Sequence, residues 1–98
     1  MRVISRKRLE NFWVEHPMGE TPLKTWFQVI SSSTFKNFAE FRQTFGSADL
    51  FKNCTIFNIS GNSFRLIAAI HYKSQIVFIR NILTHTDYDK EKWKDDRC

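Results

Sequence analysis

The stretch FNISGNSFRLIAAIHYKSQIVFIRNILTHTDYD, residues 57–89, decides the fold. Around it, apolar residues recur with a period of two through 54–60, 63–72 and 75–83, which predicts three strands. Gly61-Asn62 separates the first two runs, and both residue types tolerate the positive φ of a tight hairpin. Lys73-Ser74 separates the second and third, with weaker turn chemistry. The reading is a three-stranded antiparallel meander. Arg65 and Arg80 interrupt its apolar pattern, and its last strand runs into His85 and Tyr88.

The two turns set a register. Asn58 falls opposite Arg65 across the first hairpin, and Ile67 falls opposite Arg80 across the second. Opposed residues share a sheet face. Asn58, Arg65 and Arg80 therefore lie on one face with Ile56, Ile67, Ala69, Phe78 and Ile82. The other face carries Phe57, Ile59, Phe64, Leu66, Ala68, Ile70, Val77, Ile79 and Leu83, with Asn81 as its one polar intruder in mid-strand. That second face should take the helices. An odd-length second loop would bury Arg80 unpaired, which is costly, so the even loop is expected. Two arginines on one face need an anion between them. Tail acids such as Asp87 or Asp89 can supply it, and so can a phosphate, whose oxygens match arginine's planar fork.

Upstream the period changes. Arg2-Val3-Ile4 suits a short edge strand, and Ser5 can cap a helix whose stripe is Leu9, Phe12 and Trp13. His16-Pro17 ends that stripe. Thr21-Pro22 signals a second helix, with Leu23, Trp26, Phe27 and Ile30 on one side and Ser31-Ser32-Ser33 at its end. Asn37 with Glu40 three residues on is a capping box for a third helix, faced by Phe38, Phe41 and Phe45 and stopped at Gly46. Two or three helices packed on one face of a meander give an α+β class. The 98 residues form a single domain, 1–98, with a charged tail from about residue 86.

Ten phenylalanines let a short chain bury a large area. The net charge of +5 suits an anionic partner without choosing among RNA, DNA and acidic protein. Residues 1–8 are basic but lack an apolar core segment, so no signal peptide is expected, and no stretch is apolar enough to cross a membrane. Cys54 reads as a small buried side chain and Cys98 as a loose thiol, so no disulfide framework is expected and a reducing cytoplasm fits. The three histidines lack the spacing of a zinc site, and no metal or cofactor is expected.

His85 is the chemical candidate. A histidine with an ordinary pKa both gives and takes protons near neutrality. Cleavage of RNA by its own 2′-hydroxyl needs that service, together with cations on the phosphate. Arg65 and Arg80 can supply the cations, and Tyr88 can stack on a base. His71, in strand register with Arg65, is a candidate RNA contact beside Asn58, Lys36 and Lys73. The tail mixes signs, and its Trp93 can dock back on the domain.

The run F-N-I-x-G-N-x-x-R-L at 57–66, with F-I-R at 78–80 and T-H-x-x-Y-D at 84–89, resembles the HigB family of bacterial toxins, within the RelE-like superfamily. Met1–Arg6, Lys36-Asn37 and Ser47-Ala48-Asp49 are also similar to that family. The resemblance implies a RelE-like fold and a toxin that cleaves mRNA on the ribosome. It implies as partner a HigA-type helix-turn-helix antitoxin, through which the pair contacts operator DNA. It further implies that Arg65, in an aromatic-Arg-Leu motif, holds the phosphate and that His85 is general acid or base, with Arg80 and Tyr88 assisting. The lysine cluster of RelE itself is missing, which places more of the burden on His85. The alternative is a non-catalytic module binding nucleic acid or antitoxin, a degenerate toxin or co-repressor, since related toxins share the fold without cleaving RNA.

Overall fold

A computed structural model describes residues 1–96 and 98. The meander forms its centre: β3 (Cys54–Ile59), β4 (Phe64–His71) and β5 (Ile76–Thr84). Two short strands extend it. β1 (Arg2–Ile4) pairs in parallel with β5, and β2 (Asp49–Phe51) pairs antiparallel with β3. The sheet thus has five strands in the order β1-β5-β4-β3-β2. Helices α1 (Arg6–Glu15), α2 (Glu20–Ser31) and α3 (Phe38–Thr44) precede the meander, and a short helix α4 (His85–Asp89) follows it.

Ser5 stands at the start of α1 but makes no side-chain cap bond, contrary to expectation, whereas α3 starts on the expected cap. Asn37 Oδ1 accepts the Glu40 backbone N–H at 3.0 Å, and Glu40 returns a bond to the Lys36 N–H at 2.7 Å. This is a capping box displaced by one residue on its return leg. α2 begins one residue ahead of Thr21-Pro22, leaving Pro22 in the first turn, where its missing N–H costs nothing. The Met1 amino group donates to the carbonyls of Ile30 and Ser33 at the end of α2, so β1 and α2 are tied at their ends.

The first hairpin has the expected register, with Asn58 opposite Arg65. Its positive φ angles fall on Ser60 and Gly61 rather than on Gly61-Asn62. Asn62 instead turns its carboxamide toward Arg65, accepting from Nη2 at 3.2 Å. The second hairpin starts in the expected register, with His71 opposite Ile76 and Ala68 opposite Ile79. A β-bulge then intervenes between Ala68 and Ile67, and Ile67 pairs with Asn81 instead of Arg80.

That extra residue corrects the face assignment beyond it. Ile82 packs with the helix-side core, and Leu83 joins the outer cluster, the reverse of the sequence expectation. The physical reason is Asn81. An unbroken ladder would press its carboxamide against the helices, whereas the bulge brings it opposite Ile67 on the outer face.

Helix-side packing is aromatic. Phe41 is fully buried; it stacks on Phe35 at 4.2 Å and meets Phe57 edge-on at 5.6 Å. Trp26 meets the other side of Phe57 at 5.5 Å. The outer face has its own core of Cys54, Ile56, Ile67 and Trp93, flanked by Phe51, Leu83 and Tyr88. Trp93 does dock back, from a 3-10 turn at Lys92–Asp95. The cysteine expectation is overturned: Cys54 and Cys98 form a disulfide, their Cα atoms 4.9 Å apart. Docking of the tail through Trp93 is what brings residue 98 back to β3.

Two substitutions separate local from tertiary stabilisation. Asn37→Ala is expected to lower unfolding free energy by about 1 kcal/mol. Phe41→Ala is expected to lower it by about 3–5 kcal/mol through the cavity it leaves. Urea titrations followed by tryptophan fluorescence measure both.

Candidate active site

The end of the sheet at the Ser60–Ser63 turn gathers most of the chemistry. Arg65 leaves β4 toward the outer face and is 8% exposed. Nη1 donates to the Phe64 carbonyl at 3.1 Å, Nη2 to Asn62 Oδ1 at 3.2 Å, and the guanidinium carbon lies 5.2 Å from the Tyr88 ring centroid. Among the described residues, no carboxylate lies within ion-pair distance of it. A buried cation is normally matched by an anion, because desolvation penalises lone charge. Here two neutral oxygens and a ring face take that place, which leaves the charge available to an incoming anion.

His85 is set beside this cation by the backbone. Phe64 pairs with Thr84, and the His85 N–H donates to the Ser63 carbonyl at 3.0 Å. Thr84 caps α4 by accepting the Asp87 N–H at 3.2 Å. The imidazole is 54% exposed, with Nε2 at 3.2 Å from Asp89 Oδ2. The carboxylate orients the ring. Sequence reasoning gave Asp89 no part in the site beyond a tail acid for the arginines; its i,i+4 spacing from His85 was the available signal.

Tyr88 sits between Arg65 and the tail. It stacks on Trp93 with ring centroids 5.0 Å apart and planes at 10°, and its carbonyl accepts the Trp93 indole N–H at 3.0 Å. Phe51 closes the far side of Trp93 edge-on at 5.3 Å. Asn58 pairs with Arg65 at the same sheet end.

The other candidates lie elsewhere. Arg80, on the bulge, is held by Asp96. Nε donates to both carboxylate oxygens at 3.1 Å and Nη2 to Oδ1 at 2.7 Å. That hydrogen bond and the charge behind it hold the Arg80 guanidinium above its ordinary pKa. A tail acid does neutralise an arginine, but it is Asp96 rather than Asp87 or Asp89. His71 caps the far end of β4 against Phe78, six residues or about 20 Å along the strand from Arg65. It therefore does not join the Arg65 cleft. Lys36 and Lys73 share that far end, where the Gln75 side chain bridges the Phe35 backbone and the Tyr72 carbonyl.

The match to known proteins covers Asn58, Arg65, His85, Tyr88 and Asp89. Residues 19–91 match the HigB toxin family, described as the RelE-like toxic component of a toxin-antitoxin system. The mRNA interferase toxin HigB of Escherichia coli (strain K12) is 32% identical over 92 residues, spanning 91% of this chain and 88% of that protein. The mRNA interferase HigB of Shigella flexneri gives the same figures. That of Escherichia coli O6:H1 is 29% identical over 93 residues, spanning 92% and 90%. The chain belongs to the HigB toxin family.

An arginine kept for ligand rather than for fold has a signature in stability. Arg65→Met is expected to change unfolding free energy by less than about 1 kcal/mol, or to raise it, since no ion pair is broken. A loss of about 3–5 kcal/mol in urea titrations would identify Arg65 as a structural residue instead.

Proposed function

We propose that this toxin is a ribosome-dependent mRNA endonuclease of the cytoplasm. The mRNA's own ribose 2′-hydroxyl attacks the adjacent phosphorus and the 5′-oxygen leaves. The products are a 2′,3′-cyclic phosphate and a 5′-hydroxyl. Arg65 stabilises the charge that grows on the phosphate oxygens, and His85 serves as general acid/base, oriented by Asp89. Asn58 and Tyr88 position the nucleotides beside the cut, and Arg80 contacts the backbone further along β5. Lys36, His71 and Lys73, at the distal end, hold more remote RNA. No metal or cofactor takes part. The observation that carries this reading is the buried Arg65 guanidinium, without a carboxylate among the described residues, beside an exposed histidine tied to the same turn. The names of the E. coli and Shigella relatives as mRNA interferases support it.

The partner is a HigA-type helix-turn-helix antitoxin, and operator DNA is reached only through it. A second reading, a non-catalytic binder of acidic antitoxin segments, draws support from Arg80 already donating to a carboxylate of its own chain. The two readings part at His85.

Induction in cells with mapping of mRNA 5′ ends tests the choice. Arg65→Ala and His85→Ala are each expected to lower cleavage by about 100-fold or more. Cleavage is expected to persist in chelator and to stop on mRNA carrying a 2′-deoxy at the cut. Growth arrest by His85→Gln at wild-type strength, with no new 5′ ends, would establish the binder instead.

A further inference from the structure

The outer sheet face is fastened shut by the last residues of the chain. Trp93 is buried between Tyr88 and Phe51. Asp96 grips Arg80 through three hydrogen bonds, and Cys98, two residues on, is bonded to Cys54 in β3. These attachments differ in kind. Trp93 belongs to the buried core of the outer face. The Arg80–Asp96 pair is open to solvent, with side chains 46% and 19% exposed, and so exchanges readily with other anions. Its carboxylate meets the guanidinium fork in the same bidentate geometry that a phosphate would use.

A covalent anchor two residues away sets the local concentration of that carboxylate at Arg80. Tethering makes the internal partner a stronger competitor than the same group on a free tail. Cys98 also lines an open cleft with Lys52, Asn53 and His71, so a small thiol reaches it from solvent. Cys54, by contrast, is 1% exposed.

We propose that the C-terminal segment is a redox-sensitive latch: with Cys54–Cys98 closed, Asp96 occupies Arg80 in place of RNA phosphate, and reduction releases it. This rests on the reading of Arg80 as a backbone contact for mRNA. The reductant is a dithiol. Its thiolate attacks Cys98 Sγ, the Cys54 thiolate leaves, and the reductant's second thiol then displaces Cys98 by closing its own disulfide. Two electrons and two protons pass to the cysteines, which end as thiols. The proximal centre at Arg65 and His85 is untouched, so the latch tunes activity rather than switching it off.

The test uses the full chain, with the disulfide state of each sample fixed by thiol alkylation and mass. Single-turnover cleavage of mRNA on programmed ribosomes is measured before and after dithiothreitol. Reduction is expected to raise the rate constant about twofold to fivefold, the range for freeing one exposed ion pair. Cys98→Ser is expected to match reduced wild type. Asp96→Asn is expected to start at the reduced level and to ignore dithiothreitol, while Asp96→Glu keeps the wild-type response. Thermal melts confirm that each variant folds. Equal rates for oxidised and reduced wild type overturn the latch and leave the proposed function standing. So does a dithiothreitol response that survives in Asp96→Asn. Absence of cleavage in every form, reduced Asp96→Asn included, refutes the proposed function and the latch with it.

Discussion

Arginine does not release its proton at any physiological pH, so a guanidinium set into an apolar sheet face stays a cation. Everything around Arg65 accommodates that fact. The Phe64 carbonyl and the Asn62 carboxamide each accept one donor, and Tyr88 presents its ring face. None of the three carries negative charge that would cancel the field. The arrangement satisfies hydrogen-bond donors while leaving the charge for a ligand, which is how preorganised sites differ from structural ion pairs.

The two faces of the sheet divide the labour. Helix-side packing, built on Phe41, Phe57 and Trp26, makes β3 and β4 rigid, so the turn that joins them holds Arg65 in one place. The outer face is sealed by a single docked indole rather than by a layer of helices. Trp93 braces Tyr88, Tyr88 braces the guanidinium, and α4 carries both Tyr88 and His85. Ligand chemistry thus sits where the sheet's own core ends and the tail begins.

Much of this was legible in the chain because it depends on neighbours in sequence. The Asn37–Glu40 cap, the three helix stripes, the tight turn at Gly61 and the pairing of Asn58 with Arg65 are all local. The parallel pairing of β1 with β5 and the addition of β2 were not, since three-residue strands carry almost no periodic signal. The bulge at Arg80–Asn81 was half-visible: Asn81 stood out as a polar residue on an apolar face, which is what a shifted ladder repairs. The partners of Arg80 and Cys54 were hidden, because they depend on where a charged tail lands after Trp93 docks. For the site, Arg65, His85, Tyr88 and Asn58 come together at one end. Lys36, His71 and Lys73 lie at the other, because alternation reports the face of a strand and not the position along it.

Cleavage by this chain requires Arg65 and His85 to meet one phosphate. A structure of this chain on a ribosome programmed with 2′-O-methylated mRNA tests that directly. It should show a phosphate within hydrogen-bond distance of the Arg65 guanidinium, with the flanking 2′-oxygen or 5′-oxygen within reach of His85 Nδ1, the ring nitrogen that Asp89 leaves free. An mRNA bound only at the Lys36, His71 and Lys73 end, with Arg65 still facing Asn62 and Tyr88 alone, would contradict it.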